Sequence, residues 1–258
     1  MEKLYSLKKY YRLNLYNQCR NVIKQLVVHA PIALTKNERI DRQTKRVIKK
    51  VLHPNGIGVD IGAHKGKITE MMLAASPHQQ HFGFEPIPIL FQQLKNKYQQ
   101  KIQLYPYALS NTIGNSTFNL VTTNMAFSGI KKRPYDRIEK DKNITVTVNT
   151  LDNIIPPSTF IHLIKIDVEG AEYWVLKGAL QTITRCKPII LFEFGKTGAE
   201  VYGITADKMF ALWHETLNYN IYTLKNWLQN KPSLNYAAFN NYFIHENLYF
   251  FLAAPQQQ

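Results

Sequence analysis

The sequence predicts an α/β fold, a mostly parallel sheet with helices on both faces, and three observations carry that expectation. Short apolar runs alternate with helix-length amphipathic stretches from about residue 57 onward. The runs IGVDI, IHLIKI and PIILFEF are apolar almost throughout, as strands buried on both faces are. Polar residues stand where the runs end, namely Asp60, Glu85, Ser110, Asp167 and Glu193. In open parallel sheets, ligands gather at such carboxyl ends.

The stretch from Ile57 to Pro86 carries the first chemistry. An apolar run to Ile61 gives way to a turn punctuated by Gly62 and Gly66, Lys67 to Ala75 is helix-like, and HFGFE ends on Glu85. Strand, glycine turn, helix, strand and acid make the sequence form of a nucleotide-binding βαβ unit. The turn lets backbone approach a ligand, the helix start offers free N–H groups, and Glu85 can accept two charge-assisted hydrogen bonds from a ribose diol. The G-x-G-x-x-G spacing of dinucleotide sites is missing, because Ala63-His64-Lys65 separates the glycines, and there is no G-x-x-x-x-G-K-[ST] phosphate loop. Asp60 would repel a phosphate but suits an ammonium or sulfonium. The cofactor expected on these grounds is S-adenosylmethionine. An ordinary glycine-rich turn with a solvated Glu85 accounts for the same residues without a ligand.

Upstream, the chain is basic. Residues 1–50 hold 13 Lys and Arg against three acids, which is most of the net charge of +14. Helix-like spacing runs over Leu4 to Val28 and again over Lys36 to Leu52, where Pro54-Asn55-Gly56 stops it. We expect a basic helical extension over 1–52, the main domain over 53–252 and a disordered tail over 253–258. The basic face is a solvated helix surface, or it attracts an anionic membrane surface, a phosphorylated glycan carrier or nucleic acid. No apolar run reaches the length of a membrane span, and the two cysteines, Cys19 and Cys186, make neither a disulfide framework nor a zinc site alone. The expected setting is cytoplasmic, with peripheral attachment to the inner face of a membrane as an option.

Downstream, Ile87 to Tyr98 reads as a helix and Ile102 to Leu109 as a third strand. Ser116 to Thr122 and Ile144 to Asn149 alternate like exposed strands around a Lys- and Arg-rich loop, Thr123 to Asn143, in the manner of a substrate lid. IHLIKI ends in Asp167-Val168-Glu169-Gly170. A helix is expected over Ala171 to Cys186, a buried strand over Pro188 to Phe194, a helix over Ala206 to Leu217, and strands over Asn220 to Leu224 and Tyr242 to His245.

Asp167, Glu169 and Glu172 lie where a strand turns into its helix. Helix capping accounts for acids there; the alternative is that Asp167 holds or deprotonates the group to be modified. Crowded carboxylates raise at least one pKa, and Glu193, one strand over, adds to the crowding. Such a cluster could also take a divalent cation, magnesium sooner than zinc, although the sequence does not require one. His78 and His81 belong to a polar connection, and Asn218 stands where H-E-x-x-H needs its second histidine, which removes a zinc-protease reading of His214-Glu215.

The blocks VDIGAHKGKIT, GFEP, YALS, TVNTLDNII, LIKIDVEGAEYWVLKGA and ILFEF occur in order over about residues 55–195. In them the chain resembles the FkbM family of S-adenosylmethionine-dependent methyltransferases. The resemblance implies a class I (Rossmann-like) methyltransferase fold of seven strands, the last antiparallel, and O-methylation of a hydroxyl on a sugar, glycoconjugate or other natural product. It further implies that Asp60, Gly62, Ala63, Gly66, Glu85, Pro86, Ala108, Leu109, Ser110 and Asp167 line the cofactor site. Asp167, Glu169 and Glu172 would then stand at the reaction centre. His64, where the family commonly has Asn, is a further proton acceptor to consider. Nucleic acid is disfavoured as acceptor, because Asp-Val-Glu-Gly stands where base methyltransferases place an amide-and-aromatic motif. A non-catalytic module that keeps the fold, with the basic segment as a tether, is the alternative from another class.

Overall fold

A computed structural model describes residues 35–256. The chain divides into a unit of residues 1–42 and a unit of residues 43–258. Within the first, helix α1 (Lys36–Val51) begins on a reciprocal cap: Glu38 N–H donates to Thr35 Oγ1, and Thr35 N–H donates to Glu38 Oε2. That satisfies two of the N–H groups a helix start leaves unbonded. The helix expected over Leu4 to Val28 lies outside the described residues.

The second unit takes up the rest of α1, where Thr44, Val47 and Ile48 are buried. This half of the helix has buried Val47 and Ile48 beside exposed Lys45, Arg46, Lys49 and Lys50.

The unit then continues as β1 (Gly58–Ile61), α2 (Lys67–Ala75), β2 (His81–Phe84), α3 (Pro88–Tyr98), β3 (Ile102–Tyr105), β4 (Tyr107–Leu109), β5 (Gly114–Val121), β6 (Asp141–Asn149), α4 (Leu151–Ile154) and β7 (Leu163–Ile166). It ends with α5 (Glu172–Lys177), α6 (Leu180–Cys186), β8 (Ile189–Glu193), α7 (Lys196–Ala199), α8 (Ala206–Ala211), β9 (Tyr219–Thr223), α9 (Leu224–Leu228), α10 (Tyr236–His245) and β10 (Phe250–Pro255). The seven-stranded sheet has the order β3-β2-β1-β7-β8-β10-β9, and β10 is antiparallel to both its neighbours. All residues of β1, β2 and β7 are buried, as expected of mostly apolar strands covered on both faces, with Asp60, His81 and Lys165 as the polar exceptions. This is the class I methyltransferase fold. The winding reverses at β1, with β2 on one side and β7 on the other. The crevice at the carboxyl ends of that pair is therefore where a ligand is expected.

Four expectations are corrected. The third strand breaks at Pro106, which has no N–H for a sheet ladder, and Tyr107–Leu109 instead pairs with β6 in a second sheet of order β4-β6-β5. The helix expected over Ala171 to Cys186 is two helices, parted at Gly178, where a Cβ would run into the Ser110 carbonyl oxygen. Tyr242 to His245 closes helix α10, whose start is capped by Asn235 accepting from Ala238 N–H at 2.9 Å. The last strand is Phe250–Pro255, so the tail expected at 253 is strand instead: Ala253 and Ala254 are buried between β8 and β9. Alanines are small enough for that central slot, and the glutamines that follow disguised them as a tail.

Candidate functional site

The turn after β1 is held from three sides. Gly62 N–H and Ala63 N–H both donate to the Phe84 carbonyl at 3.0 Å, and His64 N–H donates to Glu85 Oε2 at 2.7 Å. Gly62 has φ +75° and lies so close to β7 that a Cβ would strike the Asp167 carbonyl oxygen. Gly62→Ala is therefore expected to lose at least about 1–3 kcal/mol through left-handed strain alone, read as a fall in thermal midpoint; an unchanged midpoint would show that the turn tolerates a side chain.

Asp60 is almost fully buried. Its Oδ2 accepts from Thr69 Oγ1 at 2.7 Å, and its Oδ1 makes no hydrogen bond but lies 3.4 Å from the Lys165 ammonium. Asp60 thus ties β1 to α2 and to β7. Glu85 is buried too, with Oε1 accepting from Ile87 N–H at 2.9 Å and Oε2 from His64 N–H. Burial pushes its carboxyl up to about 7, against those two N–H groups and Lys165, which pull it down. Each oxygen keeps a second lone pair. Pro86 is half-buried, whereas Ala108 and Leu109 are buried among core side chains, so only their backbone could face a ligand. Ser110 N–H donates to the Asn149 carbonyl at 2.9 Å, and Gly66 starts α2 as its cap.

Across the crevice, the turn after β7 collects the acids. Glu169 adopts φ +60° and His64 φ +49°, left-handed conformations that cost a non-glycine residue about 1–2 kcal/mol. Most of the other non-glycine residues of that kind close a helix or a turn; these two flank the crevice. Asp167, Glu169 and Glu193 each place a carboxylate oxygen within 4.8 Å of those of the other two. Glu172 differs: it is buried, and its Oε1 accepts from Val168 N–H at 3.0 Å and Gly170 N–H at 3.2 Å. It holds the turn closed from beneath.

Two cations balance the cluster. Lys165, paired across the sheet with Asp60, sends its ammonium to the carbonyls of Ile61 at 3.2 Å and Gly62 at 2.7 Å and to Asp167 Oδ2 at 3.6 Å. Arg133, from the loop between β5 and β6, reaches Glu169 Oε2 at 2.7 Å and lies over the Phe127 ring, 4.4 Å from its centroid. The same loop is stitched down by Lys131 N–H donating to Tyr202 Oη at 2.9 Å. A spacing of this kind would admit a divalent cation, but strand-end acids adopt it without one. Lys165 and Arg133 supply positive charge beside two of the three acids.

Burial is the main cause of the shifts, and it disfavours the charged carboxylates. It raises Glu169 to about 8, with Asp167 adding to it and Arg133 opposing; it raises Glu172 to about 7, and it raises Glu193 well above the carboxylate range with help from Asp167 and Glu169. Burial also opposes charge on Asp167, but the Lys165 ammonium and a hydrogen bond with Glu193 outweigh it, so this carboxyl is lowered. His64 is lowered by burial and by Lys65 and Lys165, which leaves a neutral imidazole near neutrality.

Between the ordinary glutamate range and about pH 7–8, then, the folded protein binds more protons than the unfolded chain at Glu85, Glu172 and Glu169. Stability falls as pH rises wherever that is so. His64 and His81 act oppositely, adding stability as pH rises toward the ordinary histidine value, and are silent above it. The thermal midpoint of the ligand-free protein is expected to fall from about pH 6.5, where the histidine contribution ends, to about pH 8; a flat or rising trace would contradict the burial of these acids.

Sequence reasoning passed over Lys165 and Arg133. Lys165 had a signal, since a cation inside a strand buried on both faces needs an anionic partner. Arg133 had none, because its partner lies 36 residues away across a loop.

On this class I methyltransferase fold the crevice combines a glycine turn over a buried acid, Glu85, at the β1–β7 switch point with a second acid group facing it. The Methyltransferase FkbM domain model matches residues 60–224. The chain belongs to the FkbM methyltransferase family, whose methyl donor is S-adenosylmethionine. No curated protein matches the sequence. Among solved structures, methyltransferase FkbM from Methylobacillus flagellatus KT shares 16% identity over 78% of this chain and 44% of that one, with a TM-score of 0.49. An rRNA methylase from Streptococcus thermophilus shares 10% identity over 87% of this chain and 100% of that one, TM-score 0.45. A precorrin-6y C5,15-methyltransferase from Geobacter metallireducens GS-15 shares 10% over 88% and 95%, TM-score 0.44. This chain thus spans less than half the length of the first of these.

Proposed function

We propose that the protein transfers a methyl group from S-adenosylmethionine to a hydroxyl of a sugar, a glycoconjugate or another natural product. The observation that carries this reading is Asp167: its carboxyl is kept ionised beside the cofactor turn by Lys165, where an acceptor hydroxyl would need a base. The residues fit the donor. The Gly62–Gly66 turn presents backbone at the switch point, and Glu85 lies beneath that turn with lone pairs to spare for a diol.

When bound, S-adenosylmethionine supplies a methyl group on a sulfonium that is already a good leaving group. Glu85 and the turn hold the nucleoside, and the acids after β7 hold the hydroxyl in line with the methyl. Alignment of that kind can supply on the order of 7–11 kcal/mol. With the donor in place, Asp167 would take the proton of the acceptor hydroxyl as that oxygen is methylated, its carboxylate held ready by Lys165. The loop carrying Arg133 roofs the acceptor side. The basic segment upstream would bring the domain to an anionic membrane surface or a phosphorylated carrier.

The test is transfer of radiolabelled methyl to a panel of sugars, glycolipids and RNA. Label recovered as an alkali-stable methyl ether on a hydroxyl acceptor supports the proposal; label recovered only in RNA bases, or nowhere, overturns it.

A further inference from the structure

Every contact made by the Lys165 ammonium lies on the cofactor turn or on an acid beside it. It donates to the Ile61 and Gly62 carbonyls, and it faces Asp60 Oδ1 at 3.4 Å and Asp167 Oδ2 at 3.6 Å. Its side chain is 4% exposed. We propose that Lys165 is a positioning residue for methyl transfer, a single cation that fixes the cofactor turn through the Gly62 carbonyl and keeps the Asp167 carboxylate charged and aimed at the acceptor side. The inference rests on the reaction proposed above.

The geometry favours this over a purely structural cation. A lysine that only neutralised a buried acid would need Asp60 alone, yet Asp60 already has a hydrogen bond from Thr69. The shortest of the four contacts is the one to the Gly62 carbonyl, at the point where the turn leaves β1. The Gly62 Cα is pressed against the Asp167 backbone, so turn and acid are in contact by main chain as well as through the ammonium.

Other charged groups face the same point. His64 approaches from the turn, Glu193 from the end of β8 with a hydrogen bond to Asp167, and Glu169, itself held by Arg133, from the turn after β7. Glu85 on the β2 side also feels the Lys165 charge. Of these, only Lys165 touches the cofactor turn and Asp167 with one charged atom.

The experiment compares the unaltered protein, Lys165→Met and Lys165→Arg by two readouts that need no acceptor. Carbon-13 carboxyl NMR, with Asp167→Asn for assignment, follows the Asp167 titration, and calorimetry follows S-adenosylhomocysteine binding. In Lys165→Met the Asp167 midpoint is expected to move up by about 1–3 pH units, the effect of losing an opposite charge at this range, and affinity to fall by at least about tenfold. Lys165→Arg, which keeps the charge, is expected to hold the midpoint near that of the unaltered protein. An unmoved midpoint in Lys165→Met, or unchanged affinity, overturns the proposal. Should Lys165→Met not fold, the unaltered protein decides: an Asp167 carboxyl that titrates within or above the ordinary range overturns the inference, and one that stays ionised below it supports it. Failure of the unaltered protein to bind S-adenosylhomocysteine would instead count against the reaction itself, whatever Asp167 does.

Discussion

Glu85→Gln is expected to weaken S-adenosylhomocysteine binding by on the order of 100-fold at pH 8, since a charge-assisted hydrogen bond contributes about 1.5–3 kcal/mol and the neutral amide keeps only one of the two acceptors a diol would use. The same residue makes binding depend on pH. Its carboxyl is pushed up to about 7 in the free protein, and a diol donates best to the ionised form. Below that value the affinity of the unaltered protein is expected to fall by up to about tenfold per pH unit, and Glu85→Gln is expected to show no such slope. Isothermal titration at several pH values reads both effects. A variant that binds as tightly as the unaltered protein would mean that the acid closing β2 supports the turn through His64 and Ile87 and nothing more.

Asp167→Asn should act on the other term. A positioned base contributes about 100-fold to 10,000-fold to proton transfer, and Asp167 contacts the cofactor turn only through its backbone and Lys165. Turnover with a hydroxyl acceptor is expected to fall within that range while S-adenosylhomocysteine affinity changes by less than about threefold. Lost affinity with retained turnover would reverse the roles given to Glu85 and Asp167. His64 offers the nearest substitute base, being neutral near pH 7. Residual turnover in Asp167→Asn that disappears below the His64 titration would identify it as such.

Much of the sheet was legible because burial on both faces leaves a plain mark: β1, β2, β7 and β8 are apolar runs that end on acids, and nothing outside those runs is needed to place them. What was hidden depended on distant partners. The strand Phe250–Pro255 is central only because β8 and β9 close around it, and its small alanines gave no sign of that. The break at Gly178 is set by the Ser110 carbonyl, far away in sequence. In the site, the acids could be found from their positions after strands, but their division of labour could not. Glu172 and Asp167 stand five residues apart in one motif; the first is consumed by N–H groups of its own turn, and the second is left with one oxygen toward Lys165 and a carboxyl about a third exposed. Periodicity does not distinguish an acid that braces a turn from one that faces a crevice. The partner of each does.

The most direct measurement is a crystal structure of the protein soaked with S-adenosylhomocysteine. The account predicts the nucleoside in the crevice at the carboxyl ends of β1 and β7, with both ribose hydroxyls within hydrogen-bond distance of the Glu85 carboxylate. A nucleoside bound elsewhere on the domain, or a Glu85 that still meets only His64 and Ile87 while the ligand is in place, would contradict it.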